Sequence, residues 1–574
     1  MRKEFAKFNE GRLLVGSHKS RLVICLGYVV LTLHVGLLGW FATKNSPTQD
    51  EVAHLPSGLA IWRFGRSDLY RVNPPLVRAV AAIPVLFAAH DEDWDAYRPD
   101  LPTRQEWNVG KRFIVINGRH SLWLFVLARW VCIPFSLLGA CVCWRWAREL
   151  SGDLAGLLAL SLWCFSPNIL GHASLITPDI ASVAFGLLAA WRFQQWLQRS
   201  DGRNAFLAGM TLGLALLTKT YWIFLLVLWP FIWLIYRHLQ FRKSEIWQLL
   251  ALLLLGMNLL NMGYGFQGSF KPLGSYNFYS QALSGEIRNP ETQHPANRFA
   301  ETWMGQIPVP VPMDYVTGID LQKLDFERGR WNYLFGESKQ SDGWWYFYLL
   351  ALVVKTPVGT LGLFALGFLC SFKSKGTFWR STLSLWLPAL FLLVLASSQT
   401  TLNRHLRYVF PVLPVLFLLA SQSLESGKWG RYLAAIGLMV TIVSSLAVVP
   451  RSLSFFNVAC GGSNQGYRYL VDSNLNWGQD IPLVERWLEE HPQSRPLKIA
   501  WLAVYDLDAI GIDLPPAVSP PFQPGWYIIG ANRLVHPNDH FAQFRKIEPV
   551  DRIGSGFFVY YLDHSTPQID PASP

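Results

Sequence analysis

The chain has 574 residues, 51% of them hydrophobic and only 16% charged, which is too apolar a balance for a single soluble domain. Fifty basic against 39 acidic residues leave a formal net charge of +11, but most of the cations flank long apolar runs, so the excess speaks for membrane topology and against a nucleic-acid partner. Seven cysteines without paired spacing support neither a disulfide framework nor a zinc site.

In chain order, the apolar runs predict about eleven spans, at 22–42, 121–144, 154–170, 178–197, 205–219, 220–236, 246–263, 345–371, 383–398, 407–423 and 432–449. The first run follows a basic N-terminus, yet it is longer than a signal-peptide core and lacks a small-residue cleavage site, so it counts as span one. Spans five and six abut at Lys219 and Thr220, which demands a very tight turn. Lys and Arg in the short flanks number nineteen on the side of residues 1–21 and three on the other, Lys219, Arg404 and Arg407. That bias predicts a multi-pass protein of the cell (inner) membrane with a cytoplasmic N-terminus. The fold class expected is a polytopic α-helical membrane protein: a cytoplasmic stretch 1–21, a membrane domain 22–449 with outer loops 43–120 and 264–344, and an extracytoplasmic C-terminal α/β domain 450–574. In that last part "IPLVERWLEEH" has helical periodicity, and "LKIAWLAVY", "GWYIIGAN" and "GFFVYYL" read as strands.

Ionisable residues at the ends of spans single out a site. Asp50 and Glu51 follow span one in "NSPTQDEVAHLPSG", with His54 four residues after Asp50. Asp179 opens span four in "HASLITPD". Lys355 lies about ten residues inside span eight, roughly 15 Å deep at about 1.5 Å per residue, where a charge needs a partner or a wet cavity. With Lys219, Arg404 and Arg407 these residues put acids and cations together at the outer leaflet, as a cavity for an anionic lipid head would require. Glycosyl transfer from a lipid-linked phosphate sugar suits it: a carboxylate takes the acceptor's proton, and Arg or Lys stabilises the departing lipid phosphate. Several of these residues also have a structural explanation. Acids favour the first turn of a helix, Pro178 marks a helix start before Asp179, and Lys219 suits a headgroup anchor.

Asp50-Glu51 after span one, "NPPL" at Asn73 to Leu76, "HASLITPD", "LALLTK" ending at Lys219, "VVKTP" around Lys355 and "RHLRYVFPVLP" around Arg407 together resemble the GT-C membrane glycosyltransferases, nearest the protein O-mannosyltransferase and aminoarabinose transferase superfamily. The resemblance covers roughly residues 20–450. It implies a polyprenyl-phosphate sugar donor, reaction on the extracytoplasmic face, an inverting displacement with Asp50 as base, Glu51 and Asp179 as further catalytic acids, and Asn73, Lys219, Lys355, Arg404 and Arg407 on the sugar and lipid phosphate. It leaves the acceptor as a protein, lipid or glycan hydroxyl, and leaves open a divalent metal ion on Glu51 and His54. The tail segment "VDSNLNWGQD" is similar to one in bacterial members that carries an acid where this chain has Asn476, so it implies no catalytic role for the tail. Two rival classes fit less well. A transporter of lipid-linked or anionic substrates calls for repeats and mid-bilayer charges, and a lipid-binding scaffold gives the acids and cations no task.

Overall fold

In a computed structural model, the chain is described at residues 18–99, 104–285, 296–374, 376–501, 505–516, 520–536 and 539–563. Helix α1 (His18–Lys44) carries the first apolar run, and two shorter helices, α2 (Gln49–Phe64) and α3 (Leu76–Leu86), follow it. Then come α4 (Glu106–Asn117), α5 (His120–Ser151), α6 (Asp153–Cys164), α7 (Pro167–Ala173), α8 (Pro178–Gln198) and α9 (Gly202–Leu216). Helices α10 (Leu225–Arg237) and α11 (Lys243–Gly263) precede α12 (Met313–Arg328), which lies in the long loop between spans. The helical part closes with α13 (Phe347–Lys355), α14 (Val358–Ser371), α15 (Leu383–Ser398), α16 (Leu413–Ser421) and α17 (Gly427–Leu446).

Among the described residues, five helical stretches are long and apolar enough to cross a membrane, and two bent pairs raise the number to seven. Length and prolines explain much of the difference from the eleven runs in the sequence. Helix α15 has only 16 residues. The run at 154–170 breaks between α6 and α7 with a 56° bend, where Pro167 starts the new helix. The run at 345–371 is not one straight span. Pro357 ends α13 two residues after Lys355, and α14 leaves at 115°. Lys355 therefore sits at a helix end beside a break, not ten residues down a continuous helix. At Leu406–Leu446 two predicted spans run together in one helical stretch.

After α17, short 3-10 turns lead to α18 (Ile481–Glu490) and a four-stranded sheet. A two-stranded hairpin, β1 (Asn332–Leu334) and β2 (Glu337–Lys339), has already formed between α12 and α13. The sheet has β3 (Leu497–Ala500), β4 (Gly525–Gly530), β5 (Asp551–Ile553) and β6 (Phe557–Leu562) in the order β3-β4-β6-β5. Strands β3 and β4 are parallel; the other pairings are antiparallel. The tail does not stand apart from the helices. Val52, Leu55 and Leu59 of α2 share one apolar cluster with Val484, Trp487, Ile499 and Ile528. Helix α2 is also packed tightly on its other sides: a Cβ at Gly58 would overlap the Arg78 carbonyl of α3, and one at Gly110 of α4 would overlap the Val52 carbonyl.

Candidate active site

The adjacent acids that open α2 face different surroundings. Thr48 is the residue before the helix, and Glu51 is at its third position, the spacing of a capping box. The Thr48 N–H and hydroxyl donate to Glu51 Oε2 at 2.9 and 3.0 Å. From α5, Arg129 Nε donates to Glu51 Oε1 at 2.8 Å and Nη2 to Oε2 at 2.6 Å. The Ile176 N–H, just before α8, donates to Oε1 at 3.1 Å. Arg129 spends its remaining donors on the carbonyls of Ala42, Asn45 and Ser46, at 2.6–2.9 Å. Both side chains are fully buried. Glu51 thus joins the end of α1, the start of α2, α5 and the loop before α8 at one point.

Asp50, one residue earlier, points the other way. Its carboxylate lies 2.8 Å from Arg407 Nη1, and the same nitrogen is 3.3 Å from Asp179. Asp179 opens α8 after Pro178 and also pairs with Lys219 at 3.1 Å. His172 Nδ1 is 3.9 Å from Asp179. The order Asp50, Arg407, Asp179, Lys219 makes a continuous row of alternating charge. Trp477, from the tail, covers the Arg407 guanidinium at 4.1 Å from its ring centre. Lys219 reaches the row because the chain turns sharply after α9, and the Leu76 N–H donates to Leu217 O at 3.3 Å, which fastens the turn before α3 to it.

The tail segment 471–480 holds these pieces together. Arg404 pairs with Asp472, His405 Nδ1 meets Ser473 Oγ at 2.7 Å, and the Leu406 N–H donates to Asn474 Oδ1 at 3.1 Å. Asn474 Nδ2 donates in return to Arg404 O. On the other side, the Ser46 N–H donates to Gln479 O and the Gln49 N–H to Trp477 O, each at 3.1 Å. The segment therefore grips both the strand that delivers Asp50 and the one that delivers Arg407. Asn476 accepts from the Gly478 N–H at 2.9 Å, bending the segment between its two grips. Arg404 drives burial-resistant pairing here: its guanidinium, with His405, holds the Asp472 carboxyl well below the usual range despite burial.

The remaining predicted residues lie outside the row. Lys355 Nζ donates to the Leu453 and Asn474 carbonyls and sits 4.6 Å from the Phe456 ring centre, so it braces the tail from beneath. Asn73 is buried at the turn before α3, where its carbonyl accepts from Arg78 at 2.7 Å. His54 is buried with neither ring nitrogen hydrogen-bonded, its ring 4.7 Å from that of Tyr70. Burial, helped by the nearby Arg78, Lys219 and Arg407 charges, depresses its pKa strongly and keeps it neutral. Glu51 and His54 do not fit a divalent ion. Both Glu51 oxygens are taken by Arg129, and three cations stand close to His54. Among the described residues, no group of three or more His, Cys, Asp or Glu could hold one. Sequence alone does not reveal Arg129, His172 or Trp477. His172 and Trp477 lie inside the segments "HASLITPD" and "VDSNLNWGQD" without standing out in them, and the signal that could have found Arg129 is its charge within an apolar run.

The row of shared ion pairs lies at the ends of bent, apolar helices. Residues 122–260 match the family described as Dolichyl-phosphate-mannose-protein mannosyltransferase. Among solved structures, the chain is similar to ArnT from Cupriavidus metallidurans in the apo state, at 13% identity over 93% of this chain and 98% of that one, with a TM-score of 0.45. The same protein bound to undecaprenyl phosphate gives 12% identity over 95% and 98%, with a TM-score of 0.39. The Archaeoglobus fulgidus oligosaccharyltransferase in complex with Zn and sulfate gives 12% over 88% and 70%, with a TM-score of 0.43. No curated protein matches by sequence.

Proposed function

We propose that the protein transfers a sugar from a polyprenyl-phosphate donor to an acceptor hydroxyl at the extracytoplasmic surface of the cell membrane, with Asp50 as general base. In this proposal the chain crosses the membrane eleven times, with residues 1–21 in the cytoplasm and 450–574 outside. The observation that carries the assignment is Arg407 shared between Asp50 and Asp179. Arg407 and Lys219 are the two cations of the row, and a phosphodiester oxygen is a natural third partner for them. A donor phosphate that draws the Arg407 guanidinium toward itself frees the Asp50 carboxylate. Asp50 then accepts the proton of the acceptor hydroxyl as that oxygen attacks the anomeric carbon. The bond from the anomeric carbon to the phosphate oxygen breaks, and its electron pair stays on the lipid phosphate beside Arg407 and Lys219. One displacement inverts the anomeric centre. Asp179 anchors both cations, and Glu51 with Arg129 sets the position of the helix that carries Asp50; these are positioning roles.

The test is Asp50→Asn, which keeps the size of the side chain and removes the base. Transfer from a polyprenyl-phosphate sugar should fall by about 10²–10⁴-fold while membrane insertion and the melting profile stay near those of the native protein. Arg407→Ala should weaken undecaprenyl phosphate binding. Normal turnover by a well-folded Asp50→Asn protein rejects the assignment.

A further inference from the structure

A cavity of about 730 Å³ lies between the helical part and the sheet, with Gln49, Arg404 and Trp477 on one wall and Trp501, Asn532 and Arg533 on another. It adjoins the charged row. Gln49 precedes Asp50, and Trp477 both lines the cavity and covers the Arg407 guanidinium. Its volume is that of a small-molecule site, about 300–1,000 Å³, and so has room for more than one sugar ring. Trp331, Trp477 and Trp501 give it three indole surfaces, the side chain best suited to stacking on pyranose faces.

Its charge is unbalanced. Arg404 is paired with Asp472 and Arg533 with Asp539, at 3.0 Å in the second case. Arg330 also lines the cavity and is exposed, and among the described ion pairs it has no acid. Its backbone N–H is fixed to Thr401 O at 3.1 Å, so the guanidinium hangs from an anchored strand. Three arginines against two carboxylates, with the amides of Asn476 and Asn532, leave one cation over for a ligand. We infer that this cavity is the acceptor site and that the acceptor is a carbohydrate bearing an anionic group, a uronate or a phosphate, held by Arg330 while its rings lie on the indoles. This rests on the glycosyltransferase reading of the Asp50 centre. It adds a substrate class and assigns the tail a share of the binding site.

The full-length protein in lipid nanodiscs is titrated calorimetrically with trigalacturonate and with neutral maltotriose, and separately with undecaprenyl phosphate. Trigalacturonate should bind at least about ten times more tightly than maltotriose, with an affinity that falls as salt rises. Arg330→Gln should abolish most of that preference, Trp501→Ala should weaken both sugars, and neither variant should alter undecaprenyl phosphate binding. Equal affinity for the two sugars, a preference that survives Arg330→Gln, binding of neither, or displacement of trigalacturonate by a serine-rich peptide would overturn the inference. Loss of undecaprenyl phosphate binding in the native protein would instead strike the donor assignment and leave the cavity result standing.

Discussion

Replacing Arg129 by Met isolates the contact that sets the site's geometry. Methionine keeps the unbranched apolar stem of the arginine, so the change removes the charge and the donors while the packing around the stem is retained. In the native protein the guanidinium makes two bonds to Glu51 and three to backbone carbonyls, all in a site from which water is excluded. Without it Glu51 keeps only the Thr48 and Ile176 donors, and a buried carboxylate is left uncompensated. Breaking one partner of a buried pair costs about 3–5 kcal/mol. At about 1.4 kcal/mol per factor of ten, that lowers the folding equilibrium by more than a hundredfold. Fluorescence-detected melting in a single detergent, applied to Arg129→Met, Glu51→Gln and the double variant, measures it. The double variant should lose less than the sum of the two single losses, because the stranded charge is removed together with its partner. An Arg129→Met protein that melts like the native one, or strictly additive losses, would show that the pair holds nothing.

Three further outcomes follow from other contacts. Asn474→Ala strands the Leu406 N–H and the Arg404 carbonyl and should cost about 1–3 kcal/mol, with faster protease cleavage between residues 400 and 407 as the check. Asp480 is buried and its pKa is pushed up to about 7, with Arg451 only partly opposing the burial. Its proton is bound more tightly folded than unfolded, so the stability it contributes is present in acid and is lost as pH rises through about 7; Asp480→Asn should therefore gain on the native protein between pH 5 and pH 8 in paired melts, and an unchanged gap would reject the raised value. An Asn464→Cys protein should react with a membrane-impermeant maleimide in intact cells, since Asn464 is exposed in the tail. Labelling only after lysis would invert the topology.

Local pattern carried the helices and the acids. The threonine and glutamate three residues apart at 48 and 51 already spell a helix start, and the four-residue step from Asp50 to His54 already implies one helix. The strands in "LKIA", "GWYIIG" and "FFVYYL" form where β-branched and aromatic residues concentrate. Partnership was not legible. Glu51 and Arg129 are 78 positions apart, and nothing near either marks the other. Without the partner, Glu51 reads as a second reactive acid when its bonds make it a strut. Lys355 misled for a related reason: hydropathy averages over Pro357, whose missing N–H breaks the helix and turns the lysine toward the tail. The short tail motif looked like a broken catalytic signature because its asparagines serve as backbone ligands, a task that an acid-based pattern does not encode.

The grip of residues 471–480 on both Ser46–Gln49 and Arg404–Leu406 has a consequence for biosynthesis. The helices α1 to α17 all precede that peptide in translation, so a nascent protein with all its hydrophobic segments already inserted still lacks the brace that brings Asp50 against Arg407. In the proposed topology, competence arrives only when the last fifth of the polypeptide has been exported and has docked. A version stopped at residue 470 should insert normally yet fail to crosslink between cysteines placed at 50 and 407; efficient crosslinking there would mean that the helices assemble the centre unaided.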